Sequence, residues 1–389
     1  MRRKEGAIAW IVLGLIIIRL AMLAAMIAGY PETQYHRGWY LHHGGDQEEY
    51  FLIARTLVEE KRISSFRAIG YSLSLIPFLL IYDASTWENI LIPAVLFNAF
   101  YLFSLSVILM VLMILAVYGR KTTAVLGAGI WVFSPYLLWY GARWISNLRH
   151  PGRPWDTPGP KIWMVHQMWA NMLSDPLSTF LCILFFCLIL HDLRREKGTG
   201  LSILIGILAA FSISVRYGNA VLFPAAVLVY LAGRRFRKAF FFLLSVFICM
   251  LPLLIYLKLH SLNPFYEINS QGFISYYYGA VQWRNIPINI QYAMQRLPLP
   301  LKILFCTAAG VILWGLIRIF KYNRPGGVAL FLWIFFFMVF YLSYSSMATD
   351  PFRYFMPVYP ALIIAFSVAA TDLGERLVGF ITKQGKEKA

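Results

Sequence analysis

"IGYSLSLIPFLLIY", residues 69–82, is the stretch on which the topology turns. It is apolar enough to enter a membrane, yet it falls short of the roughly 20 residues that a helix needs to cross a hydrocarbon core. Pro77 weakens it further as a straight span, because the ring removes a backbone donor and crowds the preceding turn. Counting it as a crossing would also push Arg120 and Lys121 to the outside. The stretch therefore reads as a helix lying along the outer interface.

The composition agrees with a membrane setting. The chain is 59% hydrophobic and 14% charged, where a soluble domain carries roughly 25% charged residues. Mean hydropathy is +0.63. Segments long enough to cross fall near 7–29, 90–117, 123–142, 173–192, 200–215, 219–232, 239–258, 301–320, 328–345 and 357–375. Basic clusters punctuate them: Arg2 to Lys4, Arg120 and Lys121, Arg194 and Arg195 with Lys197, "RRFRK" at 234–238, Lys321 to Arg324, and the Lys-rich end. Placing every cluster in the cytoplasm satisfies the positive-inside rule. The expected fold is an all-α polytopic membrane protein, with about ten transmembrane helices and outer-interface juxtamembrane helices. The expectation is one membrane domain, 1–389, multi-pass in the cell (plasma) membrane, with both termini cytoplasmic. The net charge of +17 is then explained by cytoplasmic loops, and no soluble basic face is left for nucleic acid.

The first segment reads as an uncleaved span with Arg19 inside it. An intramembrane arginine is a functional candidate; the alternatives are snorkelling or pairing with a neighbouring helix. Cys182, Cys187, Cys249 and Cys306 all lie in apolar runs without metal-ligand spacing, and read as small core residues.

Four segments fall outside: 30–89, 143–172, 259–300 and 346–356. The first holds "HHGGDQEEYFLIARTLVEEKR" (42–62). From Glu48 onward, Tyr50, Ile53, Ala54, Leu57 and Val58 share one helical face, while Glu49, Glu59, Glu60, Lys61 and Arg62 line the other. Asp46 follows Gly44 and Gly45 where an N-cap would sit, with Glu49 three residues on as in a capping box. Asp175 precedes Pro176, which also fits a cap with proline at the first helical position. The functional alternative is that both outward carboxylates share one site. Arg353, followed by Tyr354 in "TDPFRYFMPVYP" (349–360), Arg216 in "RYGN" and Arg67 are outward arginines. Guanidinium groups suit either lipid headgroups or a bound phosphate. Carboxylates beside arginines fit transfer of a group from a lipid phosphate, with a base for the acceptor proton and cations for the leaving group.

No cofactor is demanded by these patterns. His36, His42, His43, His150 and His166 face outward near carboxylates and could hold a divalent metal, with His42 and His43 the candidates named. The aromatics of "GFISYYYGAVQW" (272–283), with Trp155, Trp163 and Trp169, suit headgroup anchoring or stacking on sugar rings.

These residues together resemble the membrane-embedded C-superfamily (GT-C) glycosyltransferases, in the branch of protein O-mannosyltransferases and lipid A aminoarabinose transferases. Asp46, Tyr50, Ile53 and Ala54 match an acidic D-x-x-x-Y-x-x-I/L-A motif. "AIGYSLSLIP" (68–77) is similar to a P-G-Y-P motif that has lost both prolines. Asp175-Pro176 matches a D/E-P motif, Arg216-Tyr217 an R-P-like turn, and Arg353, Tyr354, Pro357 and Pro360 an R-Y-x-x-P-x-x-P motif. Their order holds over nearly the whole chain, while 146–169 looks inserted.

The resemblance implies an inverting transferase that takes a sugar from a polyprenyl-phosphate donor at the outer leaflet. Its expected parts are a seven-helix core (1–258) with the outer loop 30–89, a long outer loop (259–300) and three C-terminal helices (301–389). Asp46 would be the catalytic base, with Asp175 beside it. Arg353, Arg216 and Arg67 would bind the donor phosphate, and Glu48, Tyr50, Tyr71 and Tyr354 the substrates. Partners would be the donor, membrane lipids and an acceptor glycan, lipid or protein. The competing class is a transporter or flippase of lipid-linked sugar or polyprenyl phosphate, whose charges would line a path through the bilayer.

Overall fold

The computed structural model describes residues 2–29, 36–37, 40–42, 45–63, 68–149, 169–195, 198–259, 266–268, 274–276, 282–296, 299–343 and 355–387. Helix α1 (Arg2–Gly29) leads to a short antiparallel pair, β1 (His36–Arg37) and β2 (Tyr40–Leu41). Then come α2 (Asp46–Glu59), α3 (Ile69–Ile81) and α4 (Trp87–Val117), the last containing a π turn at Phe97–Leu102. Next are α5 (Lys121–Arg149), α6 (Ser174–Arg194), α7 (Gly200–Val215), α8 (Tyr217–Ala232) and α9 (Phe236–Leu259). A second pair, β3 (Tyr266–Ile268) and β4 (Ile274–Tyr276), precedes α10 (Asn285–Arg296). Helices α11 (Leu299–Tyr322), α12 (Arg324–Leu342) and α13 (Tyr359–Glu387) complete the described chain.

Each segment expected to cross coincides with a helix over its described residues. Among the described residues, seven helices are long and apolar enough to cross a membrane: α1, α4, α6, α9, α11, α12 and α13. Helix α5 has 29 residues. Helices α7 and α8 are shorter and are separated by Arg216, whose backbone is extended. A helix in lipid gains little from leaving one apolar medium for another, so close packing and internal hydrogen bonds hold the bundle. Phe186 stacks on Trp333 with centroids 4.4 Å apart, and the Trp333 indole donates to the Pro357 carbonyl at 3.0 Å. Phe103, Trp131 and Trp169 form a second aromatic cluster. Trp169, expected at the headgroups or stacked on a sugar, is instead buried against Phe103 of α4 and Trp131 of α5. Cys249 and Cys306, expected in the core, lie on exposed faces of α9 and α11 instead.

Contacts sort the helix ends into two groups. At one end the Arg194 guanidinium and the Asn323 amide both donate to the Ala116 carbonyl, the latter at 2.9 Å. Tyr118 meets Tyr322 there, and Arg120 pairs with Glu375. The basic clusters around 120, 194, 234–238 and 321–324 therefore gather at that end. At the other end Tyr50 reaches Ser174, Asp175 pairs with Arg216, and Arg216 lies over Tyr341. Helix α10 lies across the end of α12, where Asn285 and Asn289 donate to the Ser343 and Leu342 carbonyls at 2.9 and 2.7 Å. The contacts thus divide the loops into the same two sets as the charge pattern.

Two charges depart from their surface reading. Lys238, part of the "RRFRK" cluster, is buried and donates to Asp192 Oδ1 at 3.0 Å and to the Asp192 and Arg195 carbonyls at 2.6 Å. Arg19 does not snorkel. It is 3% exposed, bonds to the Tyr136 hydroxyl at 3.1 Å, and rests 4.6 Å from the Phe103 ring centroid.

A buried ion pair that loses one partner leaves a stranded charge, whereas replacing both partners with apolar groups removes the desolvation cost as well. Lys238→Met should therefore lower stability by about 3–5 kcal/mol. The double variant Lys238→Met/Asp192→Leu should recover part of that loss, as measured by unfolding of the purified protein in mixed micelles.

Candidate active site

The site is built on the first turn of α2. Gly45, with φ 50°, takes the N-cap position, and Asp46 becomes the first helical residue. The cap expected at Asp46 is thus displaced by one residue, because a left-handed backbone conformation suits Gly45 and not Asp46. Gln47, buried, stitches this turn to the strand and to the approach to α6: its amide donates to the Leu41 carbonyl at 3.2 Å and its Oε1 accepts from Met172 N at 2.7 Å. The Leu41 N–H in turn donates to the Ala170 carbonyl at 3.1 Å. One turn beyond Asp46, the Tyr50 hydroxyl donates to Ser174 Oγ at 3.1 Å. The turn carrying Asp46 is in this way docked on the segment that leads into Asp175. Asp46 and Glu49 are partly exposed and Glu48 is exposed.

Asp175 is also not a cap. Leu173 holds the N-cap position of α6, and the Asp175 carboxylate accepts from Arg216 Nη1. The aspartate side chain is 2% exposed and the arginine 13%. With so little water between them, the pair is electrostatically strong, and the positive end of α6 adds to the stabilisation of the carboxylate. The Arg216 guanidinium also lies 5.8 Å from the Tyr341 ring centroid. Beyond the undescribed stretch 344–354 the chain resumes at Phe355, whose ring meets the same Tyr341 at 5.7 Å.

Helix α3 closes the site from the side. A Cβ on Gly70 would stand 2.6 Å from the backbone of Ser214 and Val215, so only glycine lets α3 come this near to the residues before Arg216. That contact places the "AIGYSLSLIP" motif without its lost prolines. Tyr71, next in sequence, meets Tyr50 edge to face at 5.0 Å. The Asn98 amide, in the π turn of α4, donates to the Tyr71 hydroxyl at 3.3 Å and to the Asn171 carbonyl at 2.8 Å. Burial pushes the Tyr71 hydroxyl well above its ordinary pKa, against a smaller opposing effect of the Asn98 hydrogen bond. Tyr50 and Tyr71, 6% and 2% exposed, brace the carboxylate layer from behind.

Arg67, Arg353, Tyr354 and His43 lie outside the described residues. His42 packs against Trp87 with ring centroids 5.3 Å apart. Among the described residues no three His, Cys, Asp or Glu side chains gather where they could hold a metal. Gln47, Asn98, Asn171 and Asn219 are defining residues of none of the sequence motifs. The signal for one of them is present, since Asn98 is a lone amide within an apolar run, where polar side chains are costly unless satisfied.

No family model and no curated protein matches the chain. Solved structures do. An oligosaccharyltransferase from Archaeoglobus fulgidus in complex with zinc and sulfate aligns over 93% of this chain and 49% of its own, with a TM-score of 0.56 and 13% identity. ArnT from Cupriavidus metallidurans bound to undecaprenyl phosphate aligns over 96% of this chain and 63% of its own, at 0.54 and 15%. The archaeal enzyme with an inhibitory peptide and a dolichol-phosphate aligns over 96% and 52%, at 0.52 and 12%. This chain therefore has the fold of the GT-C membrane glycosyltransferases, and it spans between about half and two thirds of the length of these neighbours.

The Gly70 contact is directly testable. Gly70→Ala should overpack the α3–α7 contact at a cost of about 1–3 kcal/mol. Gly129→Ala, where a Cβ would meet nothing within 4 Å, should leave the unfolding midpoint in mixed micelles unchanged.

Proposed function

We propose that this protein is an inverting glycosyltransferase that moves a sugar from a polyprenyl-phosphate donor to an acceptor at the outer face of the membrane. The observation that carries this reading is the buried Asp175–Arg216 pair, seated beside the turn that bears Asp46. The donor class is argued from the neighbours: ArnT is bound to undecaprenyl phosphate and the archaeal oligosaccharyltransferase to a dolichol-phosphate. Residues 1–258 form the catalytic core, 259–300 the second outer loop and 301–389 the C-terminal helices. The acceptor is a glycan, lipid or protein, and the loops that differ most from the family choose it.

In the reaction, the acceptor hydroxyl oxygen attacks the anomeric carbon. The new carbon–oxygen bond forms as the bond from that carbon to the phosphate oxygen breaks. The hydroxyl proton goes to the Asp46 carboxylate, and the electron pair leaves on the polyprenyl phosphate. Arg216, with Arg353 and Arg67, neutralises the charge that develops there. Asp175 aims Arg216 and balances it before the donor arrives. Glu48, exposed on the same turn, and Tyr354 bind the substrates.

The transporter reading needs charges along a path between the two ends. Arg19, the charge midway along α1, instead meets the Tyr136 hydroxyl and the Phe103 ring. Asp192 and Lys238 neutralise each other at the far end. Both arrangements favour an enzyme. The positive-inside rule sets the basic end and both termini in the cytoplasm and the site outside, at the plasma membrane.

Two measurements test the reading. Asp46→Asn in proteoliposomes, assayed against a panel of polyprenyl-phosphate hexoses and pentoses, should lose about 10²–10⁴-fold in transfer rate; undiminished transfer removes Asp46 from the base role. For sidedness, Glu48→Cys in intact cells should react with a membrane-impermeant maleimide. Arg234→Cys should react only after permeabilisation, and the reverse pattern would invert the topology.

A further inference from the structure

We infer that Asn219 is a positioning residue of this site: it sets the distance and aim of Arg216 relative to Asp175 from one helical turn below them. The inference rests on the reading of Arg216 as a phosphate-binding residue.

Asn219 is fully buried, with 0% exposure, in a region of apolar helix. Its side chain is satisfied at both ends. Oδ1 accepts from Ser178 Oγ at 3.0 Å, and Nδ2 donates to the Ser212 carbonyl at 3.0 Å and to Ser212 Oγ at 2.9 Å. The partners fall where they matter. Ser178 follows Asp175 on α6 by three residues, so the two share a helix face. Ser212 precedes Arg216 by four, at the end of α7, and accepts the Arg216 N–H at 3.1 Å. Asn219 thus joins α6 to α7 directly beneath the ion pair.

The backbone is held as well. The Asn219 N–H donates to the Arg216 carbonyl at 2.9 Å. The extended residue that interrupts α7 and α8 is therefore clamped on its N–H side by Ser212 and on its carbonyl side by Asn219. A broken helix in lipid must find partners for its freed backbone groups. Here the residue that supplies one of them also measures the gap across which Arg216 reaches. A serine or alanine at 219 could close the turn, but could not span from α6 to α7.

The test uses the full-length protein in proteoliposomes. Asn219→Ala should lower kcat/KM for the lipid-linked donor by about 10²-fold, the loss expected when a binding group is displaced by about 1 Å. In an Arg216→Ala background the same change should cost almost nothing more, because the residue it aims is gone. A merely structural Asn219 would cost the same in both backgrounds, and that outcome overturns the inference.

A second readout does not depend on activity. Modification of Arg216 by phenylglyoxal, localised by peptide mass spectrometry, should rise several-fold in Asn219→Ala and in the milder Ser178→Ala. Should Asn219→Ala not fold, Ser178→Ala carries both measurements. Wild-type protein that transfers no sugar from any donor tested would sink the glycosyltransferase reading, leaving the labelling to decide the positioning. Unchanged labelling of Arg216 overturns the positioning whatever the activity shows.

Discussion

A guanidinium and a carboxylate withdrawn from water together impose the strictest condition in this protein. Each loses its hydration, and their attraction offsets that loss only if the geometry is good and the remaining donors and acceptors are met. Arg216 reaches Asp175 because the helix is broken between α7 and α8. The break frees backbone groups, which Ser212 and Asn219 take up. Gly70 lets α3 close over the residues before Arg216, and the Tyr50, Tyr71, Asn98 and Asn171 layer backs the start of α6. Each feature makes sense as part of holding one ion pair at the edge of a bundle.

The opposite end also buries charge, in larger clusters. Asp192 accepts from Lys238, from Ser202 at 2.8 Å and from Tyr230 at 2.9 Å, so the ends of α6, α7, α8 and α9 are tied through one carboxylate. Asp372 likewise gathers Arg318, Arg376 and the Trp314 indole between α11 and α13. These clusters are closed on themselves and lock helix ends together. At the end bearing α2, Glu48 is exposed and Asp46 partly so. Both ends bury a charge pair, and the end bearing α2 adds to it a turn whose carboxylates are left partly or fully exposed.

Much of this was legible residue by residue. The apolar run at 69–82 is too short to cross, and it forms the 13-residue α3, packed against α2 and the end of α7. The capping readings of Asp46 and Asp175 were chemically sound but wrong by one or two positions. A cap and an ion pair compete for the same carboxylate. The winner depends on Arg216, 41 residues from Asp175, and on a glycine able to take the left-handed turn. Lys238 looked like one more cytoplasmic charge in a basic run, because nothing local distinguishes a lysine in solvent from one turned towards Asp192.

The sequence by itself determined the membrane setting, the helical segments and the division of loops into two sets, and it put forward Asp46, Asp175 and Arg216 as candidates, because hydropathy, charge sign and motif order are properties of the chain read in line. Only the tertiary structure decided that Asp175 holds Arg216, that Gln47 and Tyr50 dock the Asp46 turn on the approach to α6, and that Asn219 spans the gap beneath. Those are distances between helices far apart in sequence. They are set by which buried polar groups must satisfy one another once water is gone.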